Sequence, residues 1–214
     1  MKNKSEKKVI VISGLPGSGS TTTARLLAER IGFEYFSAGR LYKDISKGVV
    51  EKQHYYPEFK QLCEEKGLEI PKFNNDDDSN GTFNLWNTEF GKSKKLHNII
   101  DELSKKLAER GNIVIDGKLA LHMIKKADLK IWIKADFETR AKRFSERDKI
   151  SFEDAKKILA GREKKERTEW KKIYGFDYFD QEKIAGLVID SSDIPPEKVV
   201  GEILSNSAFA SQKI

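Results

Sequence analysis

Five short apolar runs punctuate the chain, with longer stretches of helical spacing between them. The run Val9-Ile10-Val11-Ile12, inside a segment from Lys8 to Ser13, is continuous, the pattern of a strand covered on both faces. Residues 33–36 form a weaker second run, and residues 112–116 a clear third. Residues 129–134 alternate apolar with Lys130 and Lys134, which predicts a strand nearer a sheet edge. Leu187-Val188-Ile189-Asp190 is the fifth.

Between the runs the spacing turns helical. Ala24, Leu27, Ala28 and Ile31 share one face, and Leu96, Ile99, Ile100, Leu103 and Leu107 share another on a helix that should stop at Gly111. Asp136 reads as an N-cap before a stripe of Phe137, Ala141 and Phe144. Ser151 and Asp154 resemble a capping box for a long helix ending at Tyr174-Gly175. Val199, Val200, Ile203 and Leu204 mark a last helix, starting near Asp193 with Pro195 in its first turn. Strands alternating with helices predict a parallel sheet layered between helices. Two segments break the pattern. Residues 74–81, Asn- and Asp-rich, read as an exposed loop or insert. Residues 161–169 have almost no apolar side chain although both flanks look helical, so this helix is surrounded by solvent or closes over something charged.

Composition narrows the classes. Lys and Arg number 40 against 34 Asp and Glu, a net charge of +6, yet 12 Phe, 6 Tyr and 3 Trp can build a core, which argues against wholesale disorder. One cysteine, Cys63, excludes a disulfide scaffold and fits a reducing cytosol; without a basic motif nearby it reads as an inert thiol. No apolar run reaches the ~18–20 residues of a membrane span, and the run after the basic start is too short for a signal-peptide core. The pI of 9.1 points to an anionic partner, polymeric or small. His54, His97 and His122 are scattered without metal-ligand spacing, and Asp76-Asp77-Asp78 lacks the later glutamate of a calcium loop. Phe83, Trp86 and Phe90 read as anchors that pack the insert.

The strongest chemical signal is Gly14-Leu15-Pro16-Gly17-Ser18-Gly19-Ser20-Thr21, after a buried strand and at the start of an amphipathic helix. That is the context of a phosphate-binding loop: glycines let backbone approach phosphate, and the helix start adds free N–H groups and a positive dipole end. Thr21 stands where such loops ligate Mg²⁺, and Thr22 can add a donor. A glycine turn without a ligand is the plain alternative; strand, loop, threonines and helix together argue against it. The usual loop lysine is Ser20 here. Either another cation substitutes, or the loop holds phosphate without efficient transfer.

The loop, followed by Phe36-Ser37-Ala38-Gly39-Arg40-Leu41-Tyr42, Ile115-Asp116-Gly117-Lys118-Leu119-Ala120, Arg140-Ala141-Lys142-Arg143, Arg162-Glu163 through Glu166-Arg167, Ile173-Tyr174-Gly175-Phe176-Asp177 and residues 187–191, resembles the archaeal-type cytidylate kinases, nucleoside monophosphate kinases of the P-loop class. The match covers roughly residues 8–47 and 95–205, and family members also lack the lysine. The resemblance implies an α/β, three-layer P-loop kinase fold with a five-stranded parallel sheet, an expanded acceptor-binding insert and a helical lid. It implies one domain over 8–205, with the insert at 48–90, the lid at 148–178, and tails at 1–7 and 206–214. It implies Mg²⁺-dependent phosphoryl transfer from ATP to CMP or dCMP in the cytoplasm, by a monomer acting on a small molecule. ATP falls on Gly14, Leu15, Pro16, Gly17, Ser18, Gly19, Ser20, Thr21 and Thr22, with Thr21 on the metal. The acceptor falls on Ser37, Arg40, Lys43, Asp116, Gly117 and Lys118, where relatives often carry Arg in place of Lys43 and Lys118. Asp116 orients either Mg²⁺-bound water or the acceptor. Arg162, Arg167 and Lys118 are the catalytic cations implied.

Arg162 and Arg167 are five positions apart, so on a continuous helix they diverge by about 140°. The lid would have to bend, or each would reach a different phosphate. A solvated helix held by i,i+4 pairs such as Arg162–Glu166 is the plain reading of the same stretch. Arg140, Arg143 and Arg147 are open to a reading as surface charge, with Arg143, nearest the lid hinge, favoured for a role. Other functions stay open at this level: a kinase for AMP, UMP or a non-nucleotide acceptor, or a nucleotide-binding regulator without turnover. The basic residues sit in helices that also carry acids, and no nucleic-acid-binding motif accompanies them, which argues against RNA.

Overall fold

The computed structural model describes residues 7–71, Leu85 and 88–206. In chain order, strand β1 is Val9–Gly14, helix α1 Ser20–Ile31, β2 Glu34–Ser37 and α2 Ala38–Ser46. A 3₁₀ turn at Val50–Lys52 leads to α3, Tyr56–Glu65. Then come α4 Glu89–Lys92, α5 Lys94–Arg110, β3 Ile113–Asp116, α6 Ala120–Met123 and β4 Leu129–Lys134. The chain continues with α7 Phe137–Asp148, α8 Phe152–Tyr174, a 3₁₀ segment at Tyr178–Ile184, β5 Leu187–Asp190 and α9 Pro196–Ser205.

The five strands form one parallel sheet in the order β2-β3-β1-β4-β5. β1 lies at the centre because it is apolar on both faces, and all of its residues are buried. Its side chains alternate between two cores. Val9 and Val11 join Phe36, Phe59, Leu96, Leu103 and Trp132 on the side of α2, α3 and α5. Ile10 and Ile12 join Leu27, Ile131, Ile189, Val199 and Ile203 on the side of α1 and α9. The expected sheet between two helical layers is what forms.

The strand expected nearer an edge, β4, lies one in from the edge strand β5 and pairs on both sides. Its two lysines are accommodated by polar partners: Lys130 donates to the Leu121 carbonyl at 2.8 Å, and the half-exposed Lys134 lies 3.4 Å from Glu182. Asp136 and Ser151 cap α7 and α8 as expected, accepting from the amides of Thr139 and Asp154. The last helix begins later than Asp193: Pro195 is its N-cap and Pro196 its first residue. Residues 161–169 are a regular part of the 23-residue α8.

Within the expected insert, Phe59, Leu62, Cys63 and Leu85 are buried, and Phe90 packs against the same core, in keeping with an anchor. Phe83, Trp86 and the tract Asp76 to Asp78 lie outside the described residues. Burial pushes the Cys63 thiol up to about 11, the environment of an inert cysteine. Among the described residues no helix is long and apolar enough to cross a membrane.

Because the strands are parallel, their C-terminal ends gather Gly14, Ser37, Asp116, Lys134 and Asp190 along one edge, where ligands of open α/β sheets bind. Leu103, fully buried on α5, is central to one layer. Leu103→Ala is expected to lower the unfolding free energy by about 2–5 kcal/mol in urea titrations; a loss well under about 1 kcal/mol would contradict the packing.

Candidate functional site

The loop between β1 and α1 is shaped by two glycines with left-handed backbone. Gly17 has φ 84°, and a Cβ there would come within 2.8 Å of the Arg140 carbonyl oxygen. Gly19, φ 87°, is the N-cap of α1; no side chain caps this helix and no acid lies in its first turn. The first-turn amides and the positive end of the helix dipole are therefore left for an external anion. Ser18 Oγ is buried within the loop with no hydrogen-bond partner among the described residues. A buried hydroxyl without a partner and an uncapped helix start fit a phosphate chain.

Two arginines of α7 brace the loop from behind. Arg143 reaches the carbonyls of Gly17 and Ser18, both at 3.4 Å, and donates to the Ser191 carbonyl at 2.6 Å. Ser191 Oγ in turn donates to the Ser18 carbonyl at 2.7 Å. Arg140 is buried and donates to the carbonyls of Ala135 and Pro16, at 3.1 and 3.3 Å, while pairing with Glu163 of α8. Neither is plain surface charge. Arg147 is: it is exposed and pairs with its neighbour Asp148.

Asp116, at the end of β3, is buried and ties the loop helix to the next strand. Its Oδ2 accepts from Thr21 Oγ1 at 2.8 Å and from Ser37 Oγ at 2.9 Å. Burial raises its pKa, opposed by those two hydroxyls. Ser37 also caps α2 by accepting from the Arg40 amide. Thr21 and Thr22 are otherwise exposed at the loop's mouth. The Thr21 hydroxyl, fixed by Asp116 beside the loop, is of a kind that could ligate a hard cation.

The long helix α8 meets this edge of the sheet through acids. Glu166 is buried; its Oε1 takes Lys118 Nζ and, at 2.8 Å, Arg162 Nε. Burial pushes Lys118 down to about 8, with Glu166 opposing. Burial also pushes Glu166 up, but Lys118 and Arg162 outweigh it and hold the carboxyl below its usual range. Lys118 and Arg162 are therefore brought together. Arg167 is directed elsewhere: it pairs with both oxygens of Asp177 and its guanidinium lies 4.3 Å from the centroid of the Phe179 ring. The unbroken helix makes this divergence unavoidable.

Beside β2, Ser37 and Arg40 line a cleft of ≈ 400 Å³ with Gln53, His54 and Tyr55. Arg40 lies 3.7 Å from Asp44, a buried acid that also accepts from Tyr55. Lys43 is exposed on α2, and Gly117 follows Asp116 with its amide bonded to the Ile12 carbonyl. Among the described residues no group of three metal-ligating side chains occurs.

Sequence reasoning gave Glu163 and Ser191 no role, read Glu166 only as the i,i+4 partner of Arg162, and missed Gln181, which accepts from the His122 amide and donates to the Lys118 carbonyl. The contacts of Glu163 with Arg140, of Glu166 with Lys118 and of Ser191 with Ser18 join residues far apart along the chain, and no local pattern marks them. It also missed the clamp on the far half of α8. There Trp170 stacks edge-on to His97 at 5.2 Å, Tyr42 bonds His97 Nδ1 at 3.1 Å, and Tyr174 donates to Asp101 at 2.8 Å.

A family model described as "Cytidylate kinase-like family" matches residues 9–193. The chain is 35% identical over 198 residues to a cytidylate kinase of Pyrococcus horikoshii, covering 91% of this chain and 85% of that one. It is 31% identical over 201 residues to a cytidylate kinase of Methanocaldococcus jannaschii, covering 92% and 96%. Among solved structures, an uncharacterized protein from Eubacterium ventriosum superposes with a TM-score of 0.62 at 15% identity, covering 96% of this chain and 99% of that one. A shikimate kinase from Acinetobacter baumannii superposes with a TM-score of 0.53, also at 15% identity, covering 98% and 97%. At that identity the structures speak to the fold alone.

The clamp is testable through pH. Burial pushes the Asp101 carboxyl up to about 6, with the Tyr174 hydroxyl and Lys105 opposing. Since the unfolded value is about 3.9, the folded state binds this proton more tightly, and the stabilisation present below about pH 4 is lost as pH rises through about 6. Asp101→Asn removes the dependence. Denaturant melts between pH 4 and 7 should show the variant gaining on the parent by about 3 kcal/mol across that window. A pH-independent difference would place Asp101 outside a buried environment.

Proposed function

The chain belongs to the cytidylate kinase-like family, and from that premise we propose that it transfers the γ-phosphate of ATP to CMP or dCMP, giving CDP or dCDP and ADP. The observation that carries this reading is the join at Asp116: one buried carboxylate holds Thr21 of the phosphate loop and Ser37 at the start of the acceptor side. A loop for one nucleotide's phosphates is thereby fixed beside a surface for a second.

In the reaction, an oxygen of the acceptor phosphate forms a bond to the γ-phosphorus as the bond from that phosphorus to the β–γ bridging oxygen breaks. Little covalent work falls to the protein, so its residues position groups and offset charge. The backbone from Gly14 to Thr22 holds the donor phosphates, with the α1 amides facing their negative charge. Arg140 and Arg143 keep the loop in shape through its carbonyls and add positive potential beneath it, where Ser20 supplies none. Lys118 and Arg162 face the acceptor phosphate and the group in transfer, and Arg40 and Lys43 stand at the acceptor's approach. Thr21 would hold Mg²⁺, which would supply neutralisation of phosphate charge there. Asp116 fixes the Thr21 hydroxyl for that purpose. The α8 helix excludes water from the transferred group when it lies over the site. All these parts come from one chain, which suits a monomeric enzyme of small substrates, and a reducing cytoplasm suits its single free thiol.

A coupled ADP-release assay over a panel of nucleoside monophosphates tests the reading. Turnover is expected with CMP or dCMP above UMP and AMP; no turnover with any pyrimidine nucleotide, together with tight ATP binding, would replace it with a regulatory nucleotide-binding protein. Within the loop, Thr21→Ala should cut kcat by about 10²-fold or more, since a metal ligand contributes several kcal/mol. Ser20→Ala should cost far less. Equal, small losses would contradict the loop assignment.

A further inference from the structure

The lid helix carries a feature that anion binding does not explain. Around residues 161–169 most side chains are exposed, yet Glu166 is buried, an acid placed beside the cations meant for a phosphate. A carboxylate there repels substrate, and burying it is costly unless it is paired and hydrogen-bonded. No proton-accepting role calls for it either: a phosphate monoester, with its second pKa near 6, is already largely a dianion at neutral pH and needs no base.

Its contacts supply a different reason. The single oxygen Oε1 receives both Lys118, from the segment after β3, and Arg162, one turn earlier on α8. Oε2 lies 3.5 Å from the buried Tyr178 hydroxyl. Gln181 holds the Lys118 backbone from the same 3₁₀ segment. Two cations from different elements are thus fixed side by side. Without the acid they would repel each other, and a flexible lysine stem would leave the site for solvent. Glu163, one turn before Glu166, does the same for Arg140, whose guanidinium also holds the loop at Pro16.

We infer that Glu166 is a positioning residue for the acceptor phosphate: by bridging Lys118 and Arg162 it delivers the two cations together when the lid helix lies over the acceptor side. This rests on the reading of Lys118 and Arg162 as the acceptor's cations. Removal of the carboxylate's charge should therefore weaken acceptor use selectively.

The test is steady-state kinetics on the full chain with ATP and CMP. Glu166→Gln is expected to raise the KM for CMP about 10- to 100-fold and to lower kcat as well, while the KM for ATP stays within about threefold. Glu166→Asp, which keeps the charge on a shorter stem, should recover most of the loss. A lower KM for CMP in Glu166→Gln would show the carboxylate competing with phosphate. An unchanged KM, or equal rises for both substrates, would show a merely structural residue. Each of these results overturns the inference. Because a buried pair can fail by unfolding, thermal melts of Glu166→Gln, Lys118→Met and the double variant form a second measurement. Non-additive losses are expected, and additive ones would dissolve the pair. The melts need no turnover, so a parent enzyme inactive on CMP would sink the proposed function while the pairing is still read.

Discussion

A buried carboxylate at the end of β3 fixes the geometry of everything around it. Asp116 stands opposite Ile12 of β1 and Ser37 of β2 in the sheet register, so its side chain emerges where the loop strand and the acceptor strand both end. Left alone, such a group would cost several kcal/mol to desolvate. Two hydroxyls, from Thr21 and Ser37, satisfy it, and each belongs to the first turn or cap of a different helix. The starts of α1 and α2 are thereby locked to one atom, Oδ2. The positive end of α1, the glycine bends before it and the cap of α2 take their relative positions from that contact.

The same economy governs the cations. Arg140, Arg143, Lys118 and Arg162 all lie near the strand ends, and each is held by an acid or by backbone oxygens of its own chain. A half-buried cation with fixed partners keeps its charge and its place, whereas a free one loses rotamer entropy on meeting substrate. Helix α8 therefore meets the strand ends with carboxylates as well as arginines: Glu163 reaches the loop through Arg140, and Glu166 reaches the segment after β3 through Lys118. The far half of α8 is held by another chemistry, the aromatic and carboxylate contacts of Trp170 and Tyr174 with His97 and Asp101. Ionic contacts near the phosphates and aromatic contacts farther out give the two halves of one helix different strengths in salt.

What could be read in the sequence was what is local. The continuous run 9–12 announces a central strand because burial on both faces leaves no polar position, and Ser151, Asp136, Gly111 and Gly175 mark helix ends because capping is a matter of neighbouring residues. The phosphate loop was legible for the same reason. Even the divergence of Arg162 and Arg167 follows from helix geometry alone. What stayed hidden was pairing across the chain. Thr21 meets Asp116 95 positions away, and Arg140 meets Glu163 23 positions away. Arg162–Glu166 could be read as an i,i+4 pair on a solvated helix, but an exposed ion pair and a buried bridge share that spacing. Only the position of Lys118 separates the two.

Ser20 shows why that distinction matters. A loop lysine offers a point charge inside the phosphate cradle, free to follow the transferring group. Here the cations nearest the loop, Arg140 and Arg143, have their guanidiniums committed to the carbonyls of Pro16, Gly17 and Ser18. They stiffen the cradle and raise its potential without entering it. Under the proposed phosphoryl transfer, charge that moves with the reacting phosphate would have to come from outside the loop, and Lys118 and Arg162, bridged by Glu166 of α8, are cations placed to supply it. A loop without its lysine and a helix with buried acids would in this sense be one arrangement: the first lacks a mobile cation, and the second keeps Lys118 and Arg162 in register.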